Sequence, residues 1–184
     1  MWNTQNGTNL YTLVNPFTPT VDVYCLKMVN STHLASGFEK DGSAKGYIVI
    51  WNLVTRTNRV IGLHTDDVNV LELLSTGLLA SGSKDTTVSI WDLNSPTSLV
   101  RNFIAWTPNP DDVTCLKQIK DGSLAIGGAD DSIHFWNVTN PANPLRISVA
   151  TDLLVGIQSC RNMLYYNNEV LAIATHSVKI IRLN

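Results

Sequence analysis

HTDDVNVLELLSTGLLASGSKDTTVSIWDLN, residues 64–94, contains in order every local signal that the remainder of the chain repeats. His64 stands four residues ahead of Val68, where a β-branched and aliphatic run begins. A Ser-Thr-Gly turn separates that run from the small-residue segment LLASGS, and Lys84-Asp85 turns the chain again into the alternating TVSIW. Short alternating runs bounded by turn residues are the mark of short strands. The stretch therefore predicts three antiparallel strands ending on Trp91-Asp92.

Outward from this stretch the pattern recurs. VYCLKMVNSTHLASGF from Val23, VNVLELLSTGLLASGS from Val68 and VTCLKQIKDGSLAIGG from Val113 superpose without a gap, and each Val is followed twelve residues later by Ala35, Ala80 or Ala125. A fourth copy starts at Val155 and reaches Ala172 after an insertion, SCRNMLYYNN. The copies end alike, in IVIWNL at Trp51, VSIWDL at Trp91, IHFWNV at Trp136 and VKIIRL at Ile181. After each Trp a less regular strand (NRVIGL, SLVRNFI, PLRISVA) leads to the next copy. A period of 20–50 residues marks an array of repeated units.

A His near the start, a Trp-Asp at the end and this period together resemble a WD40 repeat. The resemblance implies an all-β, WD40-type β-propeller with four blades of four antiparallel strands per chain. The last blade would be completed by an N-terminal strand, from its own chain or from a partner chain. Blade 1 is expected at about 20–63, blade 2 at 64–105, blade 3 at 109–149 and three strands of blade 4 at 151–184. Trp2 aligns with Trp51, which makes residues 1–15 a fourth strand without a blade of its own. Blades expose an apolar face to each neighbour, so an open row would leave two such faces in water. Closure within one chain would give four blades of about 90° each, and closure between two copies would give eight of about 45°. The second is the expected arrangement, a homodimer made by strand exchange.

In the family, the positions of His64, Ser81, Asp85 and Trp91 form a hydrogen-bonded chain inside the blade. A buried indole and a buried carboxylate both need partners, so the resemblance implies a structural network. A catalytic His-Asp-Ser set would use the same residue types, but no nucleophile-elbow motif accompanies them. The other copies carry Pro19, Asn109 and Thr151 at the His position and Ser36, Ile126 and Ile173 at the Ser position. Asp22, Asp67 and Asp112, each just before a first-strand Val, are expected to bond nearby backbone. Cys25 and Cys115 occupy equivalent strand positions and read as small core fillers. Three cysteines without CxxC or Cys/His spacing suggest neither a disulfide framework nor a metal site.

A net charge of −2 argues against binding through nucleic-acid phosphates. No apolar run approaches the roughly 18 residues of a membrane span, and the polar start MWNTQNGTNL does not read as a signal peptide. The expectation is a cytoplasmic, non-enzymatic scaffold without cofactor or metal, the alternatives being a self-assembling propeller with no other partner or an enzyme with its site in the central channel. Its candidate protein-binding face is formed by the loops leading into the first strands and the turns between second and third strands. These carry Glu39, Asp41, Lys45, Asp66, Lys84, Asp111, Asp130, Asp131 and Asp152. Acid outweighs base there, which would steer a basic peptide.

Overall fold

A computed structural model describes residues 11–17, 20–95, 99–105, 111–119, 122–128, 132–140, 145–150, 160, 162–166, 170–174 and 178–182. Its strands form four antiparallel sheets, each a meander in chain order. The first sheet, blade 1, contains β1 (Val23–Met28), β2 (His33–Lys40), β3 (Gly46–Asn52) and β4 (Asn58–His64). Blade 2 contains β5 (Val68–Leu73), β6 (Leu79–Ser83), β7 (Thr87–Trp91) and β8 (Leu99–Ile104). Blade 3 contains β9 (Val113–Gln118), β10 (Ser123–Gly128), β11 (Ile133–Asn137) and β12 (Leu145–Ala150). Blade 4 has three strands, β13 (Asn162–Tyr166), β14 (Val170–Ala174) and β15 (Val178–Arg182).

The repeats fold alike because the same local devices recur in each. In the first strand of blades 1 to 3 the ladder skips one residue, Tyr24, Asn69 or Thr114, by a bulge that bends the strand. The turn into the second strand uses Gly77 and Gly122 at positive φ in blades 2 and 3. In blade 1 the Asn30 carboxamide does that work, accepting the N–H groups of Thr32 and His33 at 2.9 Å. The fourth repeat requires a correction. Its first strand is Asn162–Tyr166, inside the stretch read from sequence as an insertion, while Val155 lies outside the described residues. The alternation in NMLYY, with Met163 buried and Leu164 exposed, was the overlooked strand signal.

Neighbouring blades stack by their first strands, β1 on β5, β5 on β9 and β9 on β13. Small residues permit this approach. A Cβ on Gly37, Gly82 or Gly127 would come within 2.6 Å of Val68, 2.3 Å of Val113 or 2.8 Å of Cys160, each on the following blade. One apolar cluster fills each joint. Ile48, Ile50 and Ile61 of blade 1 meet Leu71, Leu79 and Trp91 of blade 2, and Val88, Ile90 and Phe103 meet Leu116, Leu124 and Val138 of blade 3.

The ring is not closed among the described residues: β1 and β13 do not stack as the other first strands do, and the blades form an open arc. Exposure at equivalent positions marks the two open flanks. Val23 and Leu26 of blade 1 are 47% and 61% exposed, whereas Val68, Val113, Leu71 and Leu116 are at most 5%. At the other end Val178 and Ile180 are 70% and 67% exposed, although their equivalents Ile48, Ile50, Val88 and Ile90 are buried under the next blade.

Residues 11–17 are not in a strand. Leu13 and Phe17 pack on Phe38, Val49 and Trp51, with Phe17 stacked on Tyr47 and edge-on to Phe38. The Tyr11 hydroxyl donates to the Leu53 carbonyl, and Arg56 lies over the Tyr11 ring. In the other joints that flank belongs to the preceding blade's fourth strand: Gly62 of β4 faces Trp91, and Phe103 of β8 faces Trp136. Trp2, with the rest of residues 1–10, lies outside the described residues.

Candidate functional site

Blade 2 brings its four signature side chains together. β7 presents the Trp91 indole, which donates to Ser81 Oγ on β6 at 2.8 Å. Ser81 Oγ is 2.7 Å from His64 Nε2, and His64 Nδ1 is 2.8 Å from Asp85 Oδ2. Asp85 also accepts from the Thr65 N–H at 2.9 Å and from the Thr87 hydroxyl and N–H at 2.6 and 3.0 Å. Ser81 is wholly buried and His64 nearly so. A Ser-His-Asp geometry is therefore present, yet its hydroxyl is enclosed and already accepts the indole N–H, so no substrate carbonyl reaches it. The network holds the β4–β5 connection to the sheet and satisfies each buried polar group.

Burial pushes the Asp85 carboxyl up. The hydrogen bond and charge interaction with His64, then the bonds from Thr87 and Thr65, outweigh it and hold the group below the usual carboxylate range. A depressed folded-state pKa contributes stability that is full above about pH 4 and is lost as pH falls through the folded value. Asp85→Asn is expected to cost about 2 kcal/mol at pH 7. Its melting temperature should also fall less steeply than the wild type's between pH 5 and pH 3. Parallel pH profiles for the two proteins would contradict this.

The other blades keep only parts of the network. Trp51 donates to Ser36 Oγ at 2.7 Å. Trp136 has Ile126 in place of that serine, and its indole donates instead to the Ala105 carbonyl, at 3.0 Å, beyond β8 of blade 2. His134 pairs with Ser132 at 2.6 Å in a separate buried contact.

The loop face is less free than the sequence reading supposes. Lys40 pairs with Asp66 at 2.9 Å while its backbone N–H donates to Asp67 at 2.9 Å, which ties blade 1 to blade 2. Lys84 stands 3.9 Å from Asp67. Asp67 thus bonds a neighbouring blade's backbone, whereas its own carbonyl takes the Lys84 N–H. Asp41 organises the β2–β3 turn through Ser43, Lys45 N–H and the Tyr47 hydroxyl, and these bonds draw its carboxyl down to about 2. Glu39 and Lys45 flank that turn, and Asp111 caps its own connection by accepting the Asp112 N–H at 2.7 Å. Asp130, Asp131 and Asp152 lie outside the described residues.

Two features escaped the sequence reading. The first is a charge ladder at one repeat position on three first strands. Glu72, 5% exposed, lies between Lys27 at 2.5 Å and Lys117 at 2.7 Å, one on each flanking blade. These residues line an inner groove of about 340 Å³ together with Asn69, Thr114 and Asn162. The spacing 27, 72, 117 was visible as a constant fourth residue after each repeat Val.

The second feature is a Cys115–Cys160 disulfide joining blade 3 to blade 4, with Cα atoms 6.0 Å apart. It corrects the reading of Cys115 as a core filler and of the cysteines as unpaired. Residues 45 apart become neighbours because each blade stacks on the next. Cys25 stays a free thiol, pushed up to about 12 by burial against a smaller opposing bond from Gly37. Among the described residues no group of three or more metal-binding side chains converges.

Comparison with known proteins accords with this geometry. The family model for the WD domain, G-beta repeat, matches residues 56–92 and 98–137. Comparison with curated protein sequences yields no match. Among solved structures the chain is similar to one in the crystal structure of the mitotic checkpoint complex, with TM-score 0.73 and 18% identity, covering 95% of this chain and 50% of that one. It is similar to the WD40 β-propeller domain of Doa1, with TM-score 0.68 and 19% identity, covering 88% and 51%. It is similar also to the WD40 repeats of RRP9, with TM-score 0.70 and 18% identity, covering 89% and 48%. Residues 56–92 and 98–137 are WD40 repeats, and the chain has the fold of the WD40 β-propellers it resembles. It spans about half the length of the solved structures it matches.

Proposed function

We propose that this chain is a non-catalytic scaffold for protein interaction, and that a second copy closes its open arc into an eight-bladed ring. The observation that carries the proposal is the pair of complementary flanks. Among the described residues blade 4 has three strands, with an exposed apolar face of Leu164, Tyr166, Val178 and Ile180. Among the described residues no blade packs on the outer flank of blade 1, yet residues 11–17 already cover its Trp51 as a preceding fourth strand would. Two copies related by a twofold axis would satisfy both flanks at once. The matched propellers hold in one chain about twice the aligned length, which is what a second copy would supply here. The closing joint would be slightly wider than the others, because Ala174 stands where Gly37, Gly82 and Gly127 do.

The proposed ring would present its loop face to a further protein, as suits a fold that one of the matched chains displays inside a checkpoint complex. A basic or polar peptide is the partner chemistry that the Glu39, Asp41 and Asp111 side of the loops would favour, acting on association rate more than on affinity. The enclosed Ser81 hydroxyl is the reason for leaving catalysis out of this reading.

Solution mass tests the closure. The wild type should run at twice the 20.2 kDa of one chain, and Ile180→Asp, which places a charge in the proposed joint, should run at the mass of one chain. A wild type that stays at one chain mass at tens of micromolar would overturn the dimer.

A further inference from the structure

The joint between blades 3 and 4 differs from the two before it. Ion pairs and side-chain bonds cross those earlier joints: Lys27 and Lys40 reach Glu72 and Asp66, while Glu72 and Ser75 reach Lys117 and Gln118. At the last joint the corresponding link is covalent, from Cys115 on β9 to Cys160, two residues ahead of β13. Against Gly37, Gly82 and Gly127 the three joints bring together Cys25 with Val68, Val70 with Val113, and Cys115 with Cys160, so of these three pairs the last has sulfur on both sides. The fold leaves room for the bond: a Cβ on Gly127 would stand 2.6 Å from Cys115 Sγ and 2.8 Å from Cys160 Cβ.

We propose that the Cys115–Cys160 bond is a thiol-sensitive latch on blade 4, and that a dithiol which opens it withdraws the flank on which a second copy docks. The docking half of this statement rests on the ring proposed above. In the reaction the Sγ–Sγ bond breaks, each sulfur leaves as a thiol, and the dithiol supplies two electrons and two protons as it closes to its own disulfide. Both cysteines are buried, 3% and 1% exposed, so a dithiol meets the bond only when blade 4 opens from blade 3. That opening is local. Among the described residues blade 4 has three strands and a single packed flank, and segments with few packed contacts open at the lowest free energy. Docking and the latch must therefore be coupled in both directions. A second copy on blade 4 protects the bond, and the bond holds blade 4 in place for the second copy.

The test uses the full chain. Wild type and a Cys115→Ser/Cys160→Ser variant are compared by hydrogen exchange and by mass, with and without dithiothreitol, with Cys25→Ser as a control. Reduction should raise exchange in β13–β15 at least tenfold, leave β5–β7 unchanged, and have no further effect on the double variant. Unchanged exchange in β13–β15, or free thiols at both positions in air-oxidised protein, would overturn the latch. The coupling has its own readout: the half-time for reduction should lengthen as protein concentration rises through the dimerisation range. A half-time independent of concentration in protein that does dimerise would overturn the coupling. A wild type that is monomeric throughout defeats the ring, while the exchange response of β13–β15 still decides the latch.

Discussion

Trp91→Ala is expected to lower stability by about 4 kcal/mol, the middle of the range for deleting a buried aromatic. The indole is 3% exposed and fills the joint between blades 1 and 2 with Ile48, Ile50, Ile61 and Leu79. Its ring lies on Gly62, where any Cβ would come within 2.1 Å of it, so the joint is shaped around this one side chain. Two hydrogen-bonded sheets cannot slide inward to fill the space, and the cavity persists. The loss is also polar: Ser81 Oγ loses the N–H donor that completes its contacts with His64. Trp91→Phe separates the two effects, since it keeps most of the volume and forfeits the hydrogen bond at about 1 kcal/mol. Urea unfolding followed by circular dichroism measures both without relying on tryptophan emission, which five indoles would confuse. A Trp91→Ala loss below about 2 kcal/mol would mean that the joint collapses and that Gly62 does not hold it open.

Glu72→Gln should cost about 3 kcal/mol, a value toward the low end for breaking a buried ion pair because both lysines reach solvent. Glu72 is 7% exposed at its side chain, while Lys27 and Lys117 are 30% and 26% exposed. Removing the carboxylate leaves two ammonium groups facing the same inner groove, each without its counter-charge. Because one acid serves two blades, the loss should be coupled across both joints. Lys27→Met and Lys117→Met in the Glu72→Gln background should each cost less than in the wild type, which a double-mutant cycle reads directly. Replacing all three by methionine should come out near the wild type in stability, since desolvation of the charges disappears along with their attraction. Additive losses through the series would show that the ladder is three independent surface groups.

Much of this was legible before any coordinates. The repeat from Val23, Val68 and Val113 located the starts of three first strands to the residue, because alternation and turn chemistry act over a few neighbours. The blade 2 network was legible only through the family resemblance, which places each member, with burial requiring that each have a partner. The fourth repeat was misplaced because its strand NMLYY lacks the Val that anchored the alignment. The roles of Asp66 and Asp67 were missed because their partner Lys40 belongs to the neighbouring blade.

The amino-acid sequence by itself determined the unit: strand periods, turns, the Trp at the end of each third strand, and hence the propeller class. Only the tertiary structure decided how units meet, in the Glu72 ladder, the Cys115–Cys160 bond and the two uncovered flanks. The physical reason is distance along the chain. A strand is specified by residues one or two apart, whereas a joint pairs residues about 45 apart whose meeting depends on the angle at which one sheet stacks on the next.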